Sequence, residues 1–263
     1  AENRTTLIYN DWGDHRVGAD ILCYMTGYND PRVEKMFLPN DVGNYVGIRI
    51  GIDVAGKATA MTKYSNLIVE STTPYLWFNA AEATFLRAEY ELRWGSEETA
   101  RELYEEAIRL SFEERGASGA DAYVADAASR PAAYTDPLGM YSAAAQSTIT
   151  IAWAPGADNF EENLERIITQ KWIAIFPLGV EAWSEHRRTG YPRLMPVVAD
   201  KSGGGVDVAQ GARRLPYPVE EYQQNNANLQ GAIQMLDAEQ QNGNRTGDQM
   251  GTRVWWDCKP YNN

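Results

Sequence analysis

Residues 74–116, PYLWFNAAEATFLRAEYELRWGSEETARELYEEAIRLSFEERG, predict two consecutive helices joined by a tight turn. Pro74 suits the first position of a helix, and Gly95 follows the last apolar residue at helical spacing. Ser96 is suited to cap the second helix, and Gly116 to end it. Because only Gly95 and Ser96 separate the two helices, we expect them to pack as an antiparallel hairpin.

The second helix of this hairpin carries the spacing of a tetratricopeptide repeat. Ala100, Tyr104 and Ala107 place small residues on both sides of an aromatic one, which lets two helices approach closely. A single repeat cannot bury both of its faces, and solenoids need about three copies. No second copy is visible, so we expect the hairpin to pack against irregular helices of this chain or against repeats upstream of it.

The rest of the chain predicts shorter helices and long loops, so the fold class is mainly α. Further helices are expected over residues 16–26, over 121–128, after a cap at Asp158, and over 180–188. Residues 46–54 alternate loosely and could form a strand, and residues 214–218 are expected to be extended. The C-terminal remainder predicts a Gln- and Asn-rich loop around one short helix.

Composition excludes several classes of protein. The chain has 24 Lys and Arg against 36 Asp and Glu, a net charge of −12, whereas nucleic-acid binding needs a basic surface. A hydrophobic fraction of 44% is ordinary for a globular protein. The apolar runs are far shorter than the roughly 20 residues of a membrane-spanning helix.

Candidate catalytic groups have simpler structural interpretations. Neither His15 nor His186 has a metal-ligand partner at helical spacing. Glu82 and Glu89 lie about 10.5 Å apart by helical rise, more than the roughly 6.5 to 9.5 Å of inverting glycosidases. We interpret them as polar groups that tie helix to helix, with Arg87 as a nearby ion-pair partner. The chain is therefore predicted not to be an enzyme, with no catalytic residues and no cofactor.

Three other features are weak signals for a metal site, a disulfide or an anion site. The Asn242–Gly247 segment suggests a calcium loop, but Arg253 stands where the bidentate Glu belongs, so we predict a turn and no metal site. Cys23 and Cys258 could form a disulfide or remain two buried thiols. The motif at 187–192, with two arginines at a helix C-terminus, is better explained by the helix dipole than by phosphate binding.

The aromatic residues divide by context. The chain has 8 Trp and 15 Tyr but 6 Phe, and the first two types combine an apolar face with a polar edge. Those at apolar positions of predicted helices are expected in the core: Trp77, Phe85, Tyr90, Tyr104, Trp172 and Trp183. Others lie in loops among Asn, Asp and Gly, where a ring can stack on a sugar: Trp12, Tyr28, Tyr45, Tyr141 and Trp153.

Four blocks of sequence, taken in order, resemble one family. They are residues 27–32 (GYNDPR), 81–89 (AEATFLRAE), 170–174 (QKWIA) running into 181–183 and 187–192 (RRTGYP), and 213–218 (RRLPYP) with Glu221 and the Asn225–Asn228 cluster. Together they resemble the C-terminal half of SusD-like (SusD/RagB) outer-membrane nutrient-binding lipoproteins of Bacteroidota.

The resemblance implies a SusD-like α/α fold with a tetratricopeptide-like hairpin at 74–116, long irregular loops and a few short strands. Residues 1–263 would form a single domain, the C-terminal part of a protein about twice as long. Members of the family are not enzymes. They cap a SusC-like TonB-dependent transporter at the cell surface and deliver oligosaccharides, or in some members peptides. The lipid-bearing cysteine of the family is absent from this chain, and Cys23 has no lipobox.

On this basis the chain is predicted to bind glycans at the outer membrane and pass them to the transporter. Three loop aromatics are the candidate sugar platforms, and two neighbours are the candidate hydrogen-bonding groups: Trp12, Tyr45 and Trp153, with Asp14 and Asn44. The alternatives are a peptide-binding member of the same family and a tetratricopeptide scaffold that binds only protein.

Overall fold

The structure, a computed structural model, describes residues 2–54, 56–238 and 246–257. It is mainly α-helical, as the sequence predicts, with one short antiparallel pair of strands. The strands are β1 (Phe37–Leu38) and β2 (Asn66–Leu67). The helices are α1 (Ala19–Gly27), α2 (Val33–Met36), α3 (Lys57–Lys63), α4 (Ala80–Trp94), α5 (Glu97–Glu114), α6 (Ala120–Val124), α7 (Phe160–Ala174), α8 (Gly179–Thr189), α9 (Val219–Gln224) and α10 (Asn226–Ala238).

The hairpin consists of α4 and α5, and its second helix begins at the predicted cap. The backbone N–H of Thr99 donates to Ser96 Oγ over 3.4 Å. The first helix starts later than predicted, because Asn79 is its cap and accepts from the Glu82 N–H over 2.8 Å. Residues 74–78 therefore lie outside the helix, where the segment that Pro74 begins is exposed.

The core lies where α4 and α5 pack against α7. Ala88 and Ala107 are fully buried in it, as expected of small residues at a close helix crossing. Phe85 and Tyr104, also fully buried, have ring centroids 6.2 Å apart. The Tyr104 hydroxyl donates to the Ile151 carbonyl over 2.6 Å, so the loop before α7 is tied to the hairpin.

Two of the six predictions of buried helix aromatics are wrong, and the other four hold in part or in full. Phe85 and Tyr104 are core residues, and Trp172 packs partly buried against the core. Trp183 is half-buried, and its Nε1 donates to the Ala212 carbonyl over 2.8 Å. Trp77 is 87% exposed because it precedes α4, and Tyr90 is 57% exposed because it lies on the outer face of that helix. Among the loop aromatics, Tyr28 is only 2% exposed and belongs to the core, so its ring is not available to a sugar.

The predicted strand at 46–54 is also wrong. Only an isolated parallel bridge between Gly18 and Ile48 forms there. A side chain on Gly47 would lie 2.3 Å from the Gly18 carbonyl oxygen, so the two backbones meet at glycines. Gly51, with φ of 84°, then turns the chain out of the extended conformation.

Several other element boundaries differ from expectation. Helix α6 is shorter than the predicted 121–128, and α7 starts after a 3-10 turn with Asn159 rather than Asp158 in the cap position. Helix α8 ends at Gly190 with φ of 77°, as predicted. The C-terminal part holds two helices, α9 and α10, instead of one, because Gln, Ala, Leu and Met favour helix.

Glu89 ties helix to helix, but not through the expected partner. Arg188 of α8 donates to its two carboxylate oxygens, each over 2.6 Å, and Arg93 donates over 2.7 Å. Burial is the largest single effect on Glu89 and raises its pKa, but the hydrogen bonds and charges of Arg188 and Arg93 together outweigh burial, and the pKa is lowered. The ion pair predicted with Arg87 is replaced by a clamp between α4 and α8, and the second arginine of the 187–192 motif has a structural role.

His186 of α8 is held in its neutral form. Burial first, and then the charge of Arg213, lower its pKa from 6.5 to about 4. Its Nδ1 lies 3.1 Å from the Pro192 carbonyl oxygen, which a neutral ring can donate to. Asp257 acts in the opposite direction and raises the pKa, but to a smaller extent.

We expect this histidine to make the protein less stable in acid. The unfolded chain takes up its proton near pH 6.5 and the folded chain only near pH 4, so stability is lost as the pH falls through that window. The full effect is about 3 kcal/mol. His186→Asn keeps a donor near Pro192 but does not titrate. Its unfolding free energy, measured by urea titration, should therefore change less between pH 7 and pH 4 than that of the wild type. An equal change with pH in His186→Asn and in the wild type would contradict the lowered pKa of His186. The control is His15→Asn, at the surface, which should change with pH as the wild type does.

Candidate functional site

Trp12 is an exposed aromatic side chain at the end of a π-helix. The π-helix covers Leu7–Trp12, and Gly13 ends it with φ of 64°. Trp12 is 57% exposed. The segment is held by Asn10, whose side-chain amide donates to the Val69 carbonyl over 2.9 Å. π-helical turns are rare and frequently occur at functional sites.

The loop after this π-helix lies against α3. A Cβ on Gly13 would be 3.3 Å from both the Lys57 side chain and the Met61 sulfur. The Lys57 ammonium lies 3.5 Å from Asp14, and both side chains are about half exposed. Trp12, Asp14, Lys57 and Met61 therefore form a surface that offers an aromatic face, an anion, a cation and an apolar thioether.

The 40–45 loop lies at the other end of α3. Asn40 organises it, because its side-chain oxygen accepts from the N–H of Asn44 over 2.9 Å and its amide donates to the Lys63 carbonyl over 3.1 Å. Asn44 itself is exposed. Tyr45 is half-buried against the core, so only part of its ring is accessible.

Four of the five candidate residues are thus brought to the two ends of one short helix. Trp12 and Asp14 lie near Lys57 at one end of α3. Asn44 and Tyr45 belong to the loop in which Asn40 binds the Lys63 carbonyl at the other end. The seven residues of α3 span about 10 Å, a length that a short oligosaccharide can follow. We call this surface, comprising Trp12, Asp14, Asn44, Tyr45, Lys57 and Met61, the α3 platform.

Trp153 lies elsewhere. Its Nε1 faces Glu97 Oε1 at 3.3 Å, and its ring centroid is 5.6 Å from that of Tyr104. Both neighbours belong to α5 rather than to α3. Its polar edge and part of its ring surface are engaged in packing.

Lys57 and Met61 are members of the platform that the sequence analysis missed. The segment KATAMTK between Gly56 and Tyr64 is compatible with a helix, and this helix propensity is the only local feature that could have indicated α3. What places it beside Trp12 is the fold of the loop at Gly13, which no local pattern reports.

An indentation away from the α3 platform is too small for a nutrient. It is lined by the side chains of Asp20, Cys23 and Arg193 among others, and it has room for about one water molecule. Burial raises the pKa of Asp20 to about 6 and that of Cys23 to about 12, so this thiol is not a nucleophile near neutral pH. Its suggested disulfide partner, Cys258, lies outside the described residues, as do Asn242 and Asn244 of the calcium-like segment.

Within residues 2–54, 56–238 and 246–257, no three His, Cys, Asp or Glu side chains are grouped so that they could hold a metal ion. No helix in the same ranges combines the length and the apolar character needed to cross a membrane.

A family model described as SusD and RagB outer membrane lipoprotein matches residues 1–257. A search of curated proteins gave no match. The solved structure of a SusD homologue from Bacteroides thetaiotaomicron VPI-5482 is 52% identical to the chain, with a TM-score of 0.93 over 99% of this chain and 56% of that one. A homologue from Bacteroides ovatus ATCC 8483 is 43% identical, with a TM-score of 0.89 over 98% and 55% of the two chains.

A chitin-binding SusD homologue from Flavobacterium johnsoniae is 41% identical, with a TM-score of 0.87 over 98% of this chain and 53% of that one. The chain therefore spans about half the length of the solved structures that it matches.

Proposed function

Because this chain belongs to the SusD-like family of outer membrane lipoproteins, whose members are binding proteins, we propose that it binds glycans and performs no catalysis. The observation that carries the proposal is the α3 platform, where exposed Trp12 stands beside the Asp14–Lys57 pair. A ring face can cover the apolar C–H surface of a sugar. Asp14 can accept hydrogen bonds from sugar hydroxyls, Lys57 can donate to them, and the Asn44 amide can do both.

The chitin-binding relative supports the same class of ligand. It is 41% identical to this chain over 98% of this chain's length. A protein similar in sequence to this one therefore binds a glycan. Trp12, Asp14, Lys57 and Met61 are each about half exposed, and a surface this accessible suits an extended oligosaccharide better than a small compact nutrient.

We also propose that the full-length protein works at the outer membrane, as a surface-exposed lipoprotein that delivers its glycan to a SusC-like TonB-dependent transporter. The description of the family as outer membrane lipoproteins supports this location. Co-purification of a TonB-dependent transporter with the tagged full-length protein from native membranes is the expected result, and its absence under mild detergent would contradict the partnership.

The site prediction is tested with Trp12→Ala in the full-length protein. Loss of one stacking ring should weaken binding to the retained glycan about tenfold, which corresponds to about 1.4 kcal/mol. Affinity electrophoresis against a glycan panel identifies the ligand, and calorimetry then measures the variant. Trp255→Ala, which also removes an exposed ring, is the matched control and should bind normally.

Trp153→Ala separates the two candidate surfaces. Weakened binding in this variant but not in Trp12→Ala would move the site from α3 to the hairpin. If no glycan retards the protein in affinity electrophoresis, and calorimetry shows heat on titration with peptide digests, the ligand is a peptide and not a glycan. If no glycan is retained and a partner protein binds Trp12→Ala and Trp153→Ala as tightly as it binds the wild type, the protein-only scaffold is favoured.

A further inference from the structure

The two lysines of α3 are both paired with aspartates, and each aspartate comes from a different loop. The Lys57 ammonium lies 3.5 Å from Asp14, in the loop after the π-helix. The Lys63 ammonium lies 3.9 Å from Asp41, in the 40–45 loop at the other end of the helix. All four side chains are between 42% and 57% exposed, so both pairs lie at the surface that a ligand would contact.

A third cation, Arg16, is turned away from this surface. It is 9% exposed, and its guanidinium donates to the Ala60 carbonyl over 3.2 Å and to the His15 carbonyl over 2.6 Å. Burial lowers the pKa of Arg16 and the charge of Asp14 raises it, so Asp14 acts on this cation as well as on Lys57. The single carboxylate of Asp14 therefore compensates positive charge at two side chains.

The charges at this surface leave no excess of positive charge for an anionic ligand. In residues 9–16, 40–45 and 57–63, the charged side chains that are exposed or half-exposed are Asp11, Asp14, Asp41, Lys57 and Lys63. Three carboxylates thus stand against two ammonium groups, on a chain whose net charge is −12. A uronate or a sulfate group here would meet a carboxylate beside each lysine, and like charges repel at short range.

The same groups suit a neutral sugar. An ammonium group and a carboxylate each have more hydrogen-bonding sites than one ion pair occupies, so both partners can also bind hydroxyl groups. Between the two pairs, α3 exposes the uncharged residues Ala58, Met61 and Thr62. A neutral glycan carries hydroxyl groups and apolar C–H faces, and its binding displaces neither lysine from its aspartate.

We propose that the α3 platform selects neutral oligosaccharides, and that Asp14 and Asp41 are the residues that exclude glycans with carboxylate or sulfate groups. This selectivity rests on the glycan-binding function proposed above and adds the class of glycan. Without the two aspartates, Lys57 and Lys63 would present two cations about 9 Å apart by helical rise, which a polyanionic glycan could bridge.

The test adds neutral and anionic forms of the same backbone to the glycan panel. Affinity electrophoresis of the full-length protein compares hydroxyethylcellulose with carboxymethylcellulose, dextran with dextran sulfate, and methyl-esterified homogalacturonan with polygalacturonate. We expect the neutral forms to retard the protein more than their anionic counterparts. Calorimetry with a retained neutral glycan should give the same dissociation constant at about 20 and about 200 mM NaCl, because no charge on the ligand is screened.

Two different failures can be told apart in this experiment. Stronger retention by an anionic form than by its neutral counterpart, or a dissociation constant that rises with salt, would overturn the selectivity and leave glycan binding intact. Retention by no polysaccharide of the panel would overturn glycan binding and the selectivity together.

Charge variants test the two aspartates. Asp14→Asn keeps a hydrogen-bond acceptor but leaves Lys57 without its counter-charge. The affinity for the anionic form, relative to the neutral form, should therefore rise about fivefold at low salt, as expected for one close pair of charges in water. Asp41→Asn should have the same effect through Lys63.

The matched control is Asp121→Asn on the far side of the hairpin. Asp121 pairs with Arg109 of α5 at 2.7 Å on the surface, so this variant has the same change in net charge without a change at α3. Its ratio of affinities for the two forms should equal that of the wild type. A ratio in Asp14→Asn and Asp41→Asn no higher than in Asp121→Asn would show that these aspartates do not exclude anionic glycans, and would overturn the proposal.

Discussion

Replacing Arg32 by methionine is expected to lower the free energy of unfolding by about 3–5 kcal/mol, because it leaves the Asp30 carboxylate buried without its counter-charge. Both side chains are fully buried, and the guanidinium donates to Asp30 over 2.6 Å. It also donates to Ser111 over 2.8 Å and to Gln170 over 3.0 Å. One side chain thus connects the loop after α1 to α5 and α7.

Aromatic rings enclose the same guanidinium. Its central carbon lies 4.6 Å from the Phe112 ring centroid and 5.3 Å from that of Tyr123, distances at which cation–π attraction contributes. Chemical denaturation of the variant and the wild type measures the loss. Arg109→Met is the matched control, because Arg109 also pairs with a carboxylate, Asp121 at 2.7 Å, but at the surface. That pair should contribute about 0–1 kcal/mol.

A double variant isolates the charge. In Asp30→Asn/Arg32→Met no carboxylate remains buried without a counter-charge, so the double variant should be more stable than Arg32→Met alone. An Arg32→Met protein no less stable than Arg109→Met would show that the cluster does not hold the core together.

The second large effect is expected at Asp257. It accepts from Arg213 Nε over 2.6 Å and from the neighbouring guanidinium nitrogen, and both side chains are almost completely buried. Arg213 also donates to the Arg187 carbonyl over 3.1 Å. Asp257→Ala leaves a guanidinium in the interior, so we expect a loss of about 3–5 kcal/mol.

The consequence should be local as well as global. The Arg187 guanidinium is stacked between Trp183, at 3.7 Å, and Trp256, at 4.7 Å, next to Asp257 in sequence. Amide hydrogen exchange in α8 should therefore accelerate in Asp257→Ala. Asp53→Ala is the control, because Asp53 pairs with Lys201 at 2.6 Å on the surface, where both side chains are largely exposed. Unchanged exchange in α8 would mean that this ion pair does not anchor the helix.

The sequence predicts only part of the candidate site. The sequence predicts Trp12 and Asp14 because an aromatic residue lies in a short loop among Asn, Asp and Gly. Asn44 and Tyr45 were found for the same reason, without any indication that α3 lies between the two loops. Lys57 and Met61 were missed, since their segment carries no local sign of recognition.

The blocks that identify the family turned out to be mainly structural. Residues 27–32 place Asp30 and Arg32 in the core, and a side chain on Gly27 would lie 2.3 Å from the Arg130 carbonyl oxygen. The 187–192 motif supplies Arg188 for the clamp to α4. These residues have structural roles, so they indicate the family and not its ligand.

The sequence by itself determined the mainly helical class, the hairpin with its Ser96 cap and the membership of the family. These follow from local chemistry, because capping, helix period and turn residues act within a few positions. Tertiary structure alone decided that Trp77 and Tyr90 face outward, that Arg188 rather than Arg87 pairs with Glu89, and that two loops meet at α3. Those outcomes depend on which surfaces of distant segments come together, and burial and ion pairing are properties of that contact rather than of spacing along the chain.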